Sequence, residues 1–191
     1  IVRGVFTGNR IYFKKVTKDD DSLKMSNILT DVLIDGLLVG GSELAKTESQ
    51  KRLIVFLAEK QQSVVGLGTV GFDIIEMPWQ METFDTDKEF MLEVIKYISQ
   101  ENWWQNIGYI PSPEAIEYVL NGFEILINKM TINDVDEDNL NEWISEADSN
   151  DSVYCGYPEC PKHRIILSAL GCKFCNDEKY AEQVLKKYKG G

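Results

Sequence analysis

The stretch Cys155-Gly156-Tyr157-Pro158-Glu159-Cys160-Pro161-Lys162-His163, followed after eight intervening residues by Cys172-Lys173-Phe174-Cys175, holds all four cysteines and the single histidine of the 191-residue chain. Cys160-x-x-His163 and Cys172-x-x-Cys175 are two pairs, each able to wrap one side of a tetrahedral ion. Thiolate and imidazole are the ligands Zn²⁺ prefers, so the pattern implies a metal held by Cys160, His163, Cys172 and Cys175. Cys155 lies five positions before Cys160 and is the alternative ligand, replacing His163 in a four-cysteine shell. Two disulfides would also use four cysteines, but clustering around a histidine argues for metal, and a chain of this length needs no staples.

Gly171 is expected to permit a tight backbone approach before Cys172. Asn176-Asp177 can cap a following helix with Tyr180, Ala181, Val184, Leu185 and Tyr188 on one face. A C-P-x-H knuckle, a short extended segment and a G-C-x-x-C entering a helix together resemble a treble-clef-type zinc ribbon. The resemblance covers only this C-terminal segment, and His163 stands where the commoner form has a cysteine. Four protein ligands would close the shell and leave no position for water, which implies structural rather than catalytic zinc. A deaminase-type zinc site is excluded, because Leu170-Gly171 precedes Cys172 where proline is needed and His163 is not followed by x-Glu.

Upstream of this window the periodicity is mostly helical. Residues 3–16 read as a β-hairpin, with Val5-Phe6 and Ile11-Tyr12-Phe13 flanking the turn Thr7-Gly8-Asn9-Arg10. From Ser22, after the capping triple Asp19-Asp20-Asp21, apolar residues recur at Met25, Ile28, Leu29, Val32 and Leu33, a helical spacing. Gly40-Gly41 is expected to stop that helix, and Ser42 to cap a second one running to about Gln62 through the all-apolar Leu53–Leu57. Residues 63–80 read as a glycine-rich connection or a short strand pair. Thr86-x-x-Glu89 predicts a capping box opening a helix with Phe90, Met91, Val94, Ile95 and Ile98 on one face. Ser112-Pro113 predicts the start of another, and residues 137–147 a last one with Leu140, Trp143 and Ile144 inward. The fold class expected is therefore α+β: a mainly helical body over residues 1–150 with an N-terminal hairpin, and a small zinc-ribbon-like module over 151–191 packed on it. The boundary is placed in the polar run Asp148-Ser149-Asn150-Asp151-Ser152.

The formal charge is −11 and it is uneven: residues 130–153 carry eight acids and no base, whereas residues 154–191 carry seven bases and four acids. An acidic body repels phosphates and attracts basic partners. Asp134, Asp136, Glu137, Asp138 and Glu142 are the candidate partner-binding acids. Trp103-Trp104 adds a candidate anchor, because neighbours on one element cannot both face inward. The bases Lys162, Arg164 and Lys173 on the zinc module make a weak nucleic-acid footprint. No apolar run approaches the ~20 residues that span a bilayer. With no basic-then-apolar leader at Ile1-Val2-Arg3-Gly4, a cytoplasmic protein is expected.

Other motifs fail on inspection. Gly66-x-Gly68-x-x-Gly71 matches a dinucleotide fingerprint, but Pro78 forbids the helix that should follow. Asp134-x-Asp136-x-Asp138 lacks the glycine and the closing glutamate of a calcium loop, with Asn139 and Ser145 at those positions, and reads as a capped acidic helix. Nucleophilic triads would need the one histidine. The function expected is a protein-binding module, concretely an acidic inhibitor of a basic protein such as an immunity protein for a bacterial nuclease toxin, with Zn²⁺ in a structural role. A nucleic-acid-associated regulator using the zinc module, and an enzyme with a carboxylate site that no motif locates, are the alternatives.

Overall fold

The computed structural model describes residues 9–13, 22–62, 70–100, 103–149 and 151–179. Its elements run β1 (Asn9–Tyr12), β2 (Ser22–Met25), α1 (Asn27–Leu44), α2 (Glu48–Gln62), β3 (Gly71–Asp73), α3 (Phe84–Gln100), α4 (Pro113–Lys129) and α5 (Glu137–Glu146). A sixth helix, α6, covers 173–179. The architecture is α+β and mainly helical, with one small sheet near the N-terminus and the Cys/His cluster at the other end.

α1 is the centre of the body and packs on α2, α3 and α4. Its buried residues, Val32, Leu33, Ile34, Leu37 and Leu38 among them, face several directions, as a helix enclosed by others requires. Ser26 caps its start by accepting the Leu29 N–H at 3.3 Å. Gly40 and Gly41 lie inside α1 and do not stop it, contrary to expectation. A methyl group on Gly41 would sit 2.2 Å from Ile54 Cδ1 of α2, and one on Gly40 would sit 2.5 Å from Ile98 Cγ2 of α3. The glycines thus let two helices approach, and α1 continues to Leu44. α2 begins at a capping box that the sequence reading passed over: Thr47 Oγ1 accepts the Gln50 N–H at 3.3 Å and Gln50 Oε1 accepts the Thr47 N–H at 3.2 Å. Its Leu53–Ala58 run is buried throughout.

The sheet has the order β2-β1-β3, with β1 antiparallel to β2 and parallel to β3. An antiparallel pair forms, but it joins Asn9–Tyr12 to Ser22–Met25 and is not the pair expected within residues 3–16. Asn9 and Arg10 are strand rather than turn, and Ser22–Met25 is a strand rather than the first turn of a helix. Buried Asn9 explains the difference: its Nδ2 donates to Thr30 Oγ1 at 2.7 Å and to Asn27 Oδ1 at 3.1 Å, and its Oδ1 accepts the Val70 N–H at 2.7 Å. One side chain therefore ties β1 to the start of α1 and to the entry of β3. Val5-Phe6, Gly66, Gly68 and Asp19–Asp21 lie outside the described residues. Gly71 opens β3, which runs into a 3₁₀ turn at Ile74–Glu76 and then to Pro78, without the helix a dinucleotide site needs.

α3 starts two residues before Thr86, so the expected capping box does not form. Asp87 is buried instead and accepts hydroxyls from Ser49 at 2.8 Å and Thr83 at 2.7 Å. α4 begins as expected at Ser112-Pro113, with Ser112 Oγ accepting the Ala115 N–H. Tyr118 turns outward on α4, its hydroxyl bonded to the Lys24 carbonyl. No helix among the described residues is long and apolar enough to cross a membrane.

Candidate metal centre

Both ligand pairs sit on tight turns. After Cys160 the chain reverses: the Arg164 N–H donates to the Cys160 carbonyl and the Cys160 N–H to the Ile165 carbonyl, both at 2.8 Å. The His163 N–H points at Cys160 Sγ at 3.5 Å, and Arg164 closes the turn with φ +55°. Isolated antiparallel bridges, Glu159 to Ile166 and Ser168 to Gly171, then return the chain to the second pair. Gly171 has φ +84°, and a methyl group there would meet nothing within 4 Å, so its left-handed backbone, not close approach, is what favours glycine. Cys172 precedes α6 and Cys175 lies in its first turn. Asn176 and Asp177 are inside that helix rather than its cap, because α6 starts at 173.

The donor atoms of Cys160, His163, Cys172 and Cys175 all lie within 4.8 Å of one another. Cys160 Sγ is 3.8 Å from Cys175 Sγ, and His163 Nδ1 is 3.7, 3.4 and 3.4 Å from the sulfurs of Cys160, Cys172 and Cys175. Zn–S bonds of about 2.3 Å and a Zn–N bond of about 2.0 Å at tetrahedral angles give edges of about 3.8 Å (S to S) and about 3.5 Å (S to N). The four residues could therefore hold a metal ion, and their spacing is compatible with zinc. Burial pushes the Cys172 thiol up to about 12, with the neighbouring cysteine sulfurs adding to the rise. Burial acts the same way on Cys160, but the N–H groups of His163 and Lys162 outweigh it and hold that thiol down at about 6. A dication among the four would stabilise all three cysteines as thiolates.

The supporting groups are polar. His163 is buried, and its second nitrogen, Nε2, lies 3.4 Å from Glu178 Oε1. Lys162 Nζ holds both Glu178 oxygens at 2.7 and 2.6 Å. A carboxylate behind a ligating histidine fixes which nitrogen faces the metal. Phe174 packs edge-on to the His163 ring at 5.5 Å.

The segment also docks on α1. Ile166 and Tyr157 belong to the main core, and the Ile166 N–H donates to Ser42 Oγ at 2.9 Å. Ser152 Oγ donates to the Leu167 carbonyl. Lys173 is buried and ion-paired with Asp35 at 2.8 Å and Asp177 at 2.9 Å. Asp35 Oδ2 also accepts the Tyr109 hydroxyl at 2.9 Å. Burial pushes the Asp35 carboxyl up to about 6, against Lys173 and Tyr109, which lower it. Asp35, Tyr109, His163 and Phe174 line a cavity of about 260 Å³ beside the centre.

Cys155 is exposed, outside the cluster, with its sulfur 3.9 Å from the Ser149 carbonyl. Trp103 is 5% exposed and donates its indole N–H to the Ile98 carbonyl, so as a core residue it offers no anchor. Trp104 is half-buried against it, edge-on at 5.9 Å. Asp134 accepts the N–H and hydroxyl of Thr131, Asp136 caps α5 through the Asp138 N–H, and Glu137 accepts the Met81 N–H. Asp138 and Glu142 are exposed on α5. Lys173 leaves the nucleic-acid footprint, because its ammonium is spent inside.

Fold and site together define a mainly helical α+β protein with a Cys₃His cluster that could hold a metal ion. No family model, curated protein or solved structure matches the chain.

Proposed function

We propose that the protein is an acidic binding module for a basic protein, stabilised by a structural Zn²⁺ at Cys160, His163, Cys172 and Cys175. The observation that carries this reading is the closed donor set: four protein ligands at tetrahedral spacing leave no open position for water or substrate. The knuckle, the antiparallel bridges and the helix carrying Cys175 support a treble-clef-type reading of the segment. A reducing, cytoplasmic compartment suits three thiolate ligands. The zinc then holds the Cys/His segment against α1, while the acidic segment at 130–153 supplies charge that speeds association with a cationic surface. An inhibitor of a basic enzyme, of the immunity or antitoxin kind, is the concrete form of the proposal.

Two measurements test it. Protein purified without chelator should carry one zinc per chain, and less than one equivalent defeats the metal assignment. Affinity purification from the source cells, with partners identified by mass spectrometry, should retain a basic protein that elutes as salt is raised. Recovery of only neutral or acidic partners, or of none, defeats the binding assignment.

A further inference from the structure

An acidic surface that receives a basic protein needs places where individual cations are seated, and one cleft is built for this. Between α2, the 3₁₀ turn Ile74–Glu76 and α5 lies a cavity of about 530 Å³. That is within the size range of ligand-accepting clefts. Its floor is aromatic: Phe56 and Trp143 meet edge to face at 6.4 Å. Its walls are Glu59, Glu76, Glu142 and Glu146.

The cleft is held in shape by hydrogen bonds. The Trp143 indole N–H donates to Glu59 Oε2 at 2.8 Å, and Asn139 Nδ2 donates to the Ile75 carbonyl at 2.9 Å, pinning α5 against the turn. The chain itself already lodges one cation at this cleft. The ammonium of Lys60 already sits 5.0 Å over the Phe56 ring and 3.5 Å from Glu76 Oε2. Lys60 pairs with Glu76, and Glu59 already accepts from the Trp143 indole and the Ala169 N–H, so the carboxylates left to meet a guest are those of Glu142 and Glu146. The half-buried Trp143 ring beside carboxylates suits a guanidinium, which is planar, stacks on rings and forks to carboxylate oxygens. Glu142 and Glu146, one turn apart on α5, continue the cleft onto the exposed acidic segment, where a protein surface would follow.

We propose that this cleft between α2 and α5 seats an arginine side chain of a basic protein partner. The proposal rests on the binding function argued above and gives it a location.

The test is a titration of the full chain with the peptide Gly-Arg-Gly-Arg-Gly, followed through the indole N–H resonance of Trp143. The expected result is a saturable shift that weakens about tenfold in Glu142→Gln/Glu146→Gln and changes less than about twofold in Glu114→Gln/Glu117→Gln on α4. Both pairs are exposed, so neither disturbs the core. An unmoved Trp143, or equal binding by the Glu142/Glu146 variant, overturns the cleft. Spermine binding as tightly as the peptide overturns the protein arginine as occupant. A basic partner retained equally by wild type and by the Glu142/Glu146 variant removes the cleft and leaves the binding function standing. A glutamate-dependent shift of Trp143 without any basic partner in the cell does the reverse.

Discussion

Lys173 and Asp35 are each more than nine-tenths buried, and their charged atoms meet at 2.8 Å where the Cys/His segment docks on α1. In sequence, Lys173 is the x of a C-x-x-C pair and reads as an exposed base. Nothing local announces that its partner stands 138 positions earlier, because the contact exists only once α6 is laid on α1. A buried pair contributes little net stability over an apolar replacement, but removing one partner strands a charge. Lys173→Met should therefore cost about 3–5 kcal/mol in urea unfolding. Adding Asp35→Asn should recover most of the loss, since the amide still accepts from Tyr109. A Lys173→Met loss below about 0.5 kcal/mol, the level of an exposed pair, would show that the junction is solvated.

Elements were legible where one helix face carries the signal. α3, α4 and α5 lie where apolar spacing and the Ser112-Pro113 start put them. Errors arose where tertiary packing overrides local preference. Gly40-Gly41 has the composition of a helix stop, yet α1 needs those positions bare because α2 and α3 press on them. Asn9 has the composition of a turn, yet its amide is a buried three-way joint. The packing reading of the glycines has a measurable consequence. On an exposed helix, Gly→Ala gains up to about 1 kcal/mol in helix propensity. Here Gly41→Ala drives a methyl group to 2.2 Å from Ile54 Cδ1, so a net loss of about 1–3 kcal/mol is expected. Ile54→Val in the same chain removes that Cδ1 atom and should restore part of the loss. Gly36→Ala, whose nearest contact would be 3.1 Å, should cost less than Gly41→Ala. Chemical denaturation of the three variants ranks them, and a stabilised Gly41→Ala would refute close packing of α1 on α2.

For the molecule as a whole, the Cys/His cluster was the most legible feature, because C-x-x-H and C-x-x-C spacing encodes the site within one short segment. What spacing alone could not show is how far that segment enters the rest of the fold. Tyr157 and Ile166 lie in the same core as α1 and α2, and Ile166 is tied to Ser42. Zinc binding at such a site is folding free energy for whatever the ligands hold together. Two outcomes of metal removal differ accordingly. If the centre were an independent bead, chelation would unravel only the segment from about Asp151 onward and leave the body's unfolding unchanged. Because the segment covers the α1 face at Ser42 and Asp35, its release should instead uncover core residues and lower the melting temperature of the body. At about 2–4 °C per kcal/mol for a chain of this size, a loss of about 3 kcal/mol amounts to about 10 °C. Cys172→Ser should give the same drop without added chelator, and Cys155→Ser none, since Cys155 stands outside the cluster. Hydrogen exchange after chelation should show lost protection at Ile165 and Ile166 and on the covered face of α1, with α4 protected as before. Unchanged melting in Cys172→Ser would mean that the four residues do not hold a structural ion, and an equal drop in Cys155→Ser would place Cys155 in the shell.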